Sequence, residues 1–224
     1  KCGGTSFREY IHSSAHNSGV DRKDIYIPGY DGIKVNKNLN QLSKSELNRF
    51  SKSNYKIIAM HVPYGVHLEQ DSMGTRPLYF SVFRDPLERF LSHYYFFYYR
   101  QGADGCKGFH LIDLPEEKRS YIIRNLSNIY ASYILGDVKS GIYQDPHLFD
   151  DIKANLDSGN YHYGVLSDID SSLRKLSSAL PEWLCLDNDF PKINAHHFQD
   201  TYSEYISSDL VEEFNCMNAL DIEI

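Results

Sequence analysis

Short apolar runs, rich in β-branched and aromatic residues, alternate with longer segments of helical periodicity, and this alternation constrains the fold more than any other feature of the sequence. The apolar runs predict strands over residues 55–62, 78–84 and 161–166. The periodic segments predict helices over residues 7–16, 43–51, 87–100, 120–135, 145–156, 169–180 and 208–219. Strands that alternate with helices in this way favour an α/β fold with a mainly parallel central sheet flanked by helices.

Composition limits the classes of protein that the chain can belong to. Its 224 residues, 42% of them hydrophobic, fit one globular domain over residues 1–224. The formal net charge of −7 is unlike the basic balance of nucleic-acid-binding proteins, so we expect no nucleic-acid partner. No stretch approaches the roughly 18 apolar residues of a membrane span, so we expect none in this chain.

The four cysteines, Cys2, Cys106, Cys185 and Cys216, have neither the spacing of a zinc site nor that of a disulfide-dense scaffold. Reduced thiols are the favoured interpretation. A single bridge, for instance between Cys185 and Cys216, is the alternative.

A glycine-rich segment opens the sequence as Lys-Cys-Gly-Gly-Thr-Ser-Phe, residues 1–7. Glycines let the backbone approach a ligand closely, and the N–H groups at the start of a following helix attract an anion. Lys1 would add a full positive charge. The order differs from the Walker A loop, in which the lysine follows the glycines. The segment therefore indicates a phosphate-binding loop, with an ordinary glycine turn before a helix as the alternative.

A second polar segment begins where the second predicted strand ends. Arg84 lies at that carboxyl end, which is where open α/β sheets bind ligands. Its planar guanidinium suits a phosphate, and Ser92, two helical turns later, could add a hydroxyl. The alternative is a surface helix held by salt bridges, with Asp85 as its cap and Glu88 or Arg89 tying strand to helix.

One histidine, His61, stands near the end of the first predicted strand. An imidazole there could take a proton from an acceptor hydroxyl at near-neutral pH. His67 and His93 are rivals, and a structural or exposed histidine is the alternative for each. His61 is favoured because it lies between the two anion-binding segments.

Together these segments resemble the sulfotransferases that use 3′-phosphoadenosine 5′-phosphosulfate (PAPS), most closely the branch of heparan sulfate and chondroitin uronosyl 2-O-sulfotransferases and their bacterial relatives. That family opens with Pro-Lys-x-Gly-Gly-Thr-Ser, matched here from Lys1 onward, and we expect the preceding strand and proline to lie upstream of Lys1. The second family motif, Arg-Asp-Pro-x-x-Arg-x-x-Ser-x-Tyr, is matched in full by residues 84–94. Residues 134–136, 164–173 and 192–194 resemble the family more weakly.

The resemblance implies a single sulfotransferase domain with a P-loop-like three-layer α/β fold, PAPS as the donor, 3′-phosphoadenosine 5′-phosphate (PAP) as the product, and no metal. The residues that it places around the 5′-phosphosulfate are Lys1, Cys2, Gly3, Gly4, Thr5, Ser6 and Phe7. Arg84 and Ser92 would bind the 3′-phosphate. His61 would be the catalytic base, and Lys1 would stabilise charge on the leaving oxygen. Sister branches use a glutamate as the base, which makes Glu69 the alternative to His61.

The implied acceptor is a hydroxyl group, most naturally of a glycan, and the acidic balance of the chain favours a neutral or lightly charged one. A nucleotide kinase or other P-loop phosphotransferase is the main alternative, although its Mg²⁺ and its lysine after the glycines count against it. A non-catalytic glycan- or nucleotide-binding protein on the same scaffold is the second. A bacterial relative would be cytoplasmic. An animal relative would lie in the Golgi lumen, where Asn125 is a candidate glycosylation site, but the lack of a clear disulfide pattern favours the cytoplasm.

Overall fold

The structure is a computed structural model that describes residues 4–26, 56–58, 64–65, 77–136, 147–181, 184–186, 190 and 206–224. Its strands are β1 (Ile25–Tyr26), β2 (Ile57–Ile58), β3 (Tyr79–Phe83) and β4 (Tyr161–Val165). Its α-helices are α1 (Gly4–Asn17), α2 (Pro86–His93), α3 (Glu116–Asn125), α4 (Ile129–Leu135), α5 (Leu148–Leu156), α6 (Ile169–Ala179), α7 (Ser208–Met217) and α8 (Ala219–Glu223). The described part of the chain is therefore mixed α/β, which confirms the predicted class.

The chain divides into two compact units. We call the first the mixed unit, which comprises Gly3–Val82 and Asp157–Asn194. The second, the helical unit, comprises Lys1–Cys2, Phe83–Leu156 and Ala195–Ile224. The single domain inferred from the sequence stays a prediction.

Short strands pair in the mixed unit. β1 and β2 run parallel, with Ile25 opposite Ile57 and Tyr26 opposite Ile58. β3 and β4 form a second hydrogen-bonded pair. The parallel pair is in keeping with the predicted parallel sheet.

A close approach between β4 and α6 organises one part of the mixed unit. A Cβ atom on Gly164 would lie 2.3 Å from the Cβ of Ser172, so only glycine fits at this position of the strand. The Ser172 hydroxyl accepts a hydrogen bond from the Val165 N–H at 2.8 Å and lies 2.8 Å from the carbonyl oxygen of Asp168. This hydroxyl joins the end of β4 to the start of α6.

Aromatic and branched aliphatic side chains form the core of the helical unit. In this unit α2 continues directly into a π-helix, Tyr94–Arg100, which brings several tyrosines into the core. The buried members of the core are Phe90, Leu91, Tyr94, Tyr95, Tyr98, Cys106, Leu111, Leu114, Ile122, Ile123, Leu126, Leu210 and Phe214. Their burial holds α2 and the π-helix against α3 and α7.

The single helix predicted over residues 120–135 is wrong, because the chain leaves the helix after Asn125 and re-enters it at Ile129. Asn128 has a φ of 48°, in the left-handed region that asparagine tolerates better than most residues. Its N–H donates to Asn218 Oδ1 at 3.1 Å instead of continuing the helix.

The predicted C-terminal helix is interrupted in a similar way. The sequence predicts one helix over residues 208–219, but α7 ends at Met217 and α8 begins at Ala219. The predicted helix over residues 43–51, and most of the predicted strand over 55–62, lie outside the described residues.

Two further expectations concern cysteines and membranes. Cys216 is a free thiol, so the alternative bridge from Cys185 to Cys216 is not formed. Among the described helices, none combines the length and the apolar character that a membrane span requires.

Candidate functional site

The turn from β3 into α2 carries the complete Arg-Asp-Pro motif. Arg84 follows directly on the last residue of β3. Asp85 caps α2, since its Oδ1 accepts a hydrogen bond from the Glu88 N–H at 2.8 Å, and Pro86 occupies the first turn, where its missing N–H carries no penalty. The turn is thus built locally, and it places Arg84 between the end of a strand and the start of a helix.

The side chain of Arg84 is oriented by Glu88. Its Nε donates a hydrogen bond to Glu88 Oε2 at 2.8 Å, and 16% of the arginine side chain is exposed. This pair occupies the Nε edge of the guanidinium. The two Nη atoms of a guanidinium carry N–H donors in a planar arrangement that matches the oxygens of a phosphate group.

The backbone of Arg84 is held by a tyrosine from α4. The Arg84 N–H donates to the Tyr130 hydroxyl oxygen at 3.0 Å, and that hydroxyl donates in turn to the Arg84 carbonyl oxygen at 3.1 Å. Tyr130 is buried, and its ring packs on Phe83 with a centroid distance of 4.8 Å. Both polar groups of the Arg84 backbone are therefore satisfied by one side chain.

The second arginine of the motif, Arg89, is buried and serves the packing of the helical unit. Its Nη2 donates to the carbonyl oxygen of Leu126 at 2.8 Å and lies 3.8 Å from Asp221 Oδ2. Its guanidinium carbon also lies 5.3 Å from the centre of the Tyr130 ring, in cation–π distance. Arg89 therefore has a structural role: it is buried and links α2 to α8, whereas the alternative placed it on a surface helix, tying strand to helix.

The carboxylate of Asp221 caps α4 from a distant part of the sequence. Oδ1 accepts a hydrogen bond from the Ala131 N–H at 2.9 Å, and Oδ2 accepts one from the Tyr130 N–H at 3.2 Å. Burial raises the pKa of the Asp221 carboxyl above its usual range, while Arg89 and the backbone N–H groups of Ala131, Tyr130 and Ile129 oppose that shift. The carboxylate thus supports both Arg89 and the helix that carries Tyr130.

Ser92, the second predicted 3′-phosphate ligand, lies in the last turn of α2 and is half-buried. The motif ends at Tyr94, which is fully buried and donates its hydroxyl hydrogen to the Phe109 carbonyl oxygen at 2.9 Å. Burial raises the pKa of Tyr94 above its usual range. Tyr94 therefore belongs to the core of the helical unit.

The predicted phosphosulfate loop is described only from Gly4 onward. The sequence predicts a helix that begins at Phe7, but α1 begins at Gly4, so residues 4–6 form its first turn. The first N–H groups of a helix have no partner within it, which suits them to an anion. Ser6 is almost completely buried, and Phe7 stacks on Phe80 at a centroid distance of 5.0 Å, so the ring of Phe7 serves packing.

Several predicted residues lie outside the described part of the chain. These are Lys1, Cys2, Gly3, His61, His67 and Glu69, together with the side chain of Thr5. His93 is described, and its ring lies 4.6 Å from the ring of Phe97. The structure brings Arg84, Glu88 and Tyr130 together within the helical unit.

Sequence reasoning missed Tyr130 and Asp221. Each contacts the motif from a distance of tens of residues, and neither stands in a local pattern that would mark it.

No group of three metal-ligating side chains occurs among the described residues. No protein-family model matches the chain, and no curated protein is significantly similar to it.

Proposed function

We propose that this protein is a PAPS-dependent sulfotransferase with a P-loop-like, three-layer α/β fold. One observation carries the proposal. The motif at residues 84–94, which is complete in the sequence, folds as a capped turn from a strand into a helix with Arg84 at the strand end. Open α/β sheets bind ligands at such strand ends, and the planar guanidinium of an arginine can bind a phosphate group at two points.

In this proposal the donor is held at its two ends. Arg84 and Ser92 bind the 3′-phosphate, the arginine through its Nη donors and the serine through its hydroxyl. Lys1 and the backbone N–H groups of residues 3–7 bind the 5′-phosphosulfate at the start of α1. The start of α1 at Gly4 supports this role, because it places residues 4–6 in the first turn of a helix, where the helix dipole favours an anion.

The proposed reaction is an in-line transfer. His61 takes the proton of the acceptor hydroxyl, and the oxygen attacks sulfur while the bond from sulfur to the bridging phosphate oxygen breaks. PAP leaves with the negative charge that develops on that oxygen. Lys1 and the N–H groups of the loop stabilise this charge as preorganised donors. A sulfuryl group carries less charge than a phosphoryl group, so the transfer needs no Mg²⁺ to neutralise it.

We propose a hydroxyl of a neutral or lightly charged glycan as the acceptor. The net charge of −7 disfavours a highly sulfated polymer, since such a polymer would be repelled by the chain as a whole.

The decisive experiment measures nucleotide binding by calorimetry on the full-length protein. PAP and AMP differ only in the 3′-phosphate, so their ratio of affinities reports on that group alone. A sulfotransferase should bind PAP at least about tenfold more tightly than AMP, without metal. Equal binding of PAP and AMP, or tighter binding of Mg·ATP, would exclude this function and favour a kinase.

A further inference from the structure

The hydroxyl of Tyr130 and the backbone of Arg84 form a two-bond contact that the sequence motif does not contain. The N–H of Arg84 donates to the hydroxyl oxygen at 3.0 Å, and the hydroxyl donates to the carbonyl oxygen of the same residue at 3.1 Å. Residues at the end of a strand ordinarily satisfy such groups through a neighbouring strand or water. Here a single side chain, forty-six residues away in sequence, satisfies both.

Tyr130 is itself held from three sides. Its ring packs on Phe83 at 4.8 Å and lies beneath the guanidinium of Arg89 at 5.3 Å. Its own N–H donates to Asp221 Oδ2 at 3.2 Å. With only 8% of the residue exposed, the hydroxyl has little freedom to move away from Arg84.

The position of the Arg84 backbone determines where the guanidinium of that residue can lie. If the peptide groups of Arg84 shift, the guanidinium shifts with them, and a two-point contact with a phosphate weakens steeply with misplacement. Loss of the hydroxyl would also leave the N–H and the carbonyl of Arg84 facing an aromatic ring edge, which favours a rearranged turn.

We propose that Tyr130 is a positioning residue for the donor's 3′-phosphate, acting through the backbone of Arg84. The inference rests on the proposed function, since it assigns to Arg84 the 3′-phosphate of the donor. Tyr130 does not touch the nucleotide in this assignment.

The test is Tyr130→Phe, which removes the hydroxyl and keeps the ring. We expect the ratio of PAP affinity to AMP affinity to fall about tenfold, by weaker binding of PAP, while AMP binding is unchanged. In an Arg84→Ala background the ratio should already be lost, and adding Tyr130→Phe should change it no further.

The matched control is Tyr95→Phe. Tyr95 is equally buried in the helical unit and shares a hydrogen bond with His110 Nδ1 at 3.2 Å. Tyr95→Phe should lower the unfolding midpoint about as much as Tyr130→Phe does. It should leave the ratio of PAP affinity to AMP affinity unchanged.

The outcomes separate the inference from the function on which it rests. If the wild-type protein prefers PAP to AMP and the Tyr130→Phe variant has the same preference, the positioning role is overturned and the proposed function is not. An equal loss of affinity for both nucleotides would also overturn it, because the role would then be merely structural. A wild-type protein without preference for PAP would overturn the proposed function, and this inference with it.

Discussion

Arg89 and Asp221 form a buried ion pair in the helical unit, with 3.8 Å between Arg89 Nη2 and Asp221 Oδ2. Only 4% of the arginine side chain and none of the aspartate side chain is exposed. The two arginines of the motif therefore have different tasks. Arg89 is committed to a buried ion pair that holds α2 to α8, whereas Arg84 stays at the end of β3 with part of its side chain at the surface. The two arginines of one motif thus differ in their surroundings, and only Arg84 keeps enough exposed side chain for the phosphate contact that we propose.

Removal of the carboxylate should strongly destabilise the helical unit. Asp221→Ala leaves the charge of Arg89 buried without its counter-charge and removes two hydrogen bonds to the N–H groups that begin α4. We expect the free energy of unfolding to fall by about 3–5 kcal/mol. Urea unfolding followed by circular dichroism measures this loss.

Glu223→Ala is the control for Asp221→Ala, since Glu223 lies in the same helix and is exposed. It should change stability by no more than about 0.5 kcal/mol. A similar effect of the two substitutions would contradict the buried ion pair as a stabilising contact.

The turn at residues 84–94 was predictable because its determinants are local. An apolar run, the Asp-Pro breaker and the apolar spacing of the helix all stand within a few residues of one another. The contact of Tyr130 with Arg84 was not predictable, because nothing near Tyr130 marks it as different from other tyrosines. The break in the helix at Asn128 was not predictable either, because it depends on a hydrogen bond to Asn218, ninety residues away in sequence.

Arg84→Lys should abolish most of the preference for PAP over AMP. A lysine keeps the positive charge but lacks the planar fork that meets two phosphate oxygens at once. We expect PAP affinity to fall about tenfold or more and AMP affinity to remain, as measured by calorimetry. Arg124→Lys, an exposed position on α3, is the matched control and should leave both affinities unchanged. An unaltered preference in Arg84→Lys would place the 3′-phosphate elsewhere.

Gly164→Ala should destabilise the mixed unit. The new Cβ would lie 2.3 Å from the Cβ of Ser172 and 3.3 Å from Cζ of Phe80, so β4 and α6 would have to separate. We expect a loss of about 1–3 kcal/mol in the free energy of unfolding.

A double-mutant cycle attributes this loss to the clash. Ser172→Gly removes the opposing Cβ, so Gly164→Ala should cost clearly less in that background than in the wild type. If Gly164→Ala lowers the free energy of unfolding equally in the two backgrounds, the strain does not arise from the contact with Ser172.

Tyr161 should make the stability of the mixed unit sensitive to alkaline pH. Burial raises the pKa of its hydroxyl to about 12, and the hydrogen bond with Ser81, 2.7 Å between the two oxygens, opposes that shift. The pKa of Tyr161 is higher in the folded protein than its value of about 10 in the unfolded chain. Its contribution to the free energy of unfolding is therefore complete below pH 10 and is lost as the pH rises through 12. The loss amounts to about 2–3 kcal/mol.

Urea unfolding at each pH compares the wild type with Tyr161→Phe. Between pH 10 and pH 12 the free energy of unfolding of the variant should fall less steeply than that of the wild type. Tyr163→Phe changes an exposed tyrosine of the same strand and should keep the wild-type slope. Parallel curves for all three proteins would show that Tyr161 does not titrate in this way.

His61→Ala should separate catalysis from donor binding. If His61 takes the proton of the acceptor hydroxyl, its removal should lower turnover about a hundredfold or more and leave PAP affinity nearly unchanged. Turnover is measured as PAP released from PAPS with a panel of neutral and lightly charged oligosaccharides. His16→Ala serves as the control, because His16 is exposed in the last turn of α1 and is assigned no chemical role. Full activity of His61→Ala together with a loss in Glu69→Gln would transfer the base to Glu69, as in the sister branches of the family that the sequence resembles.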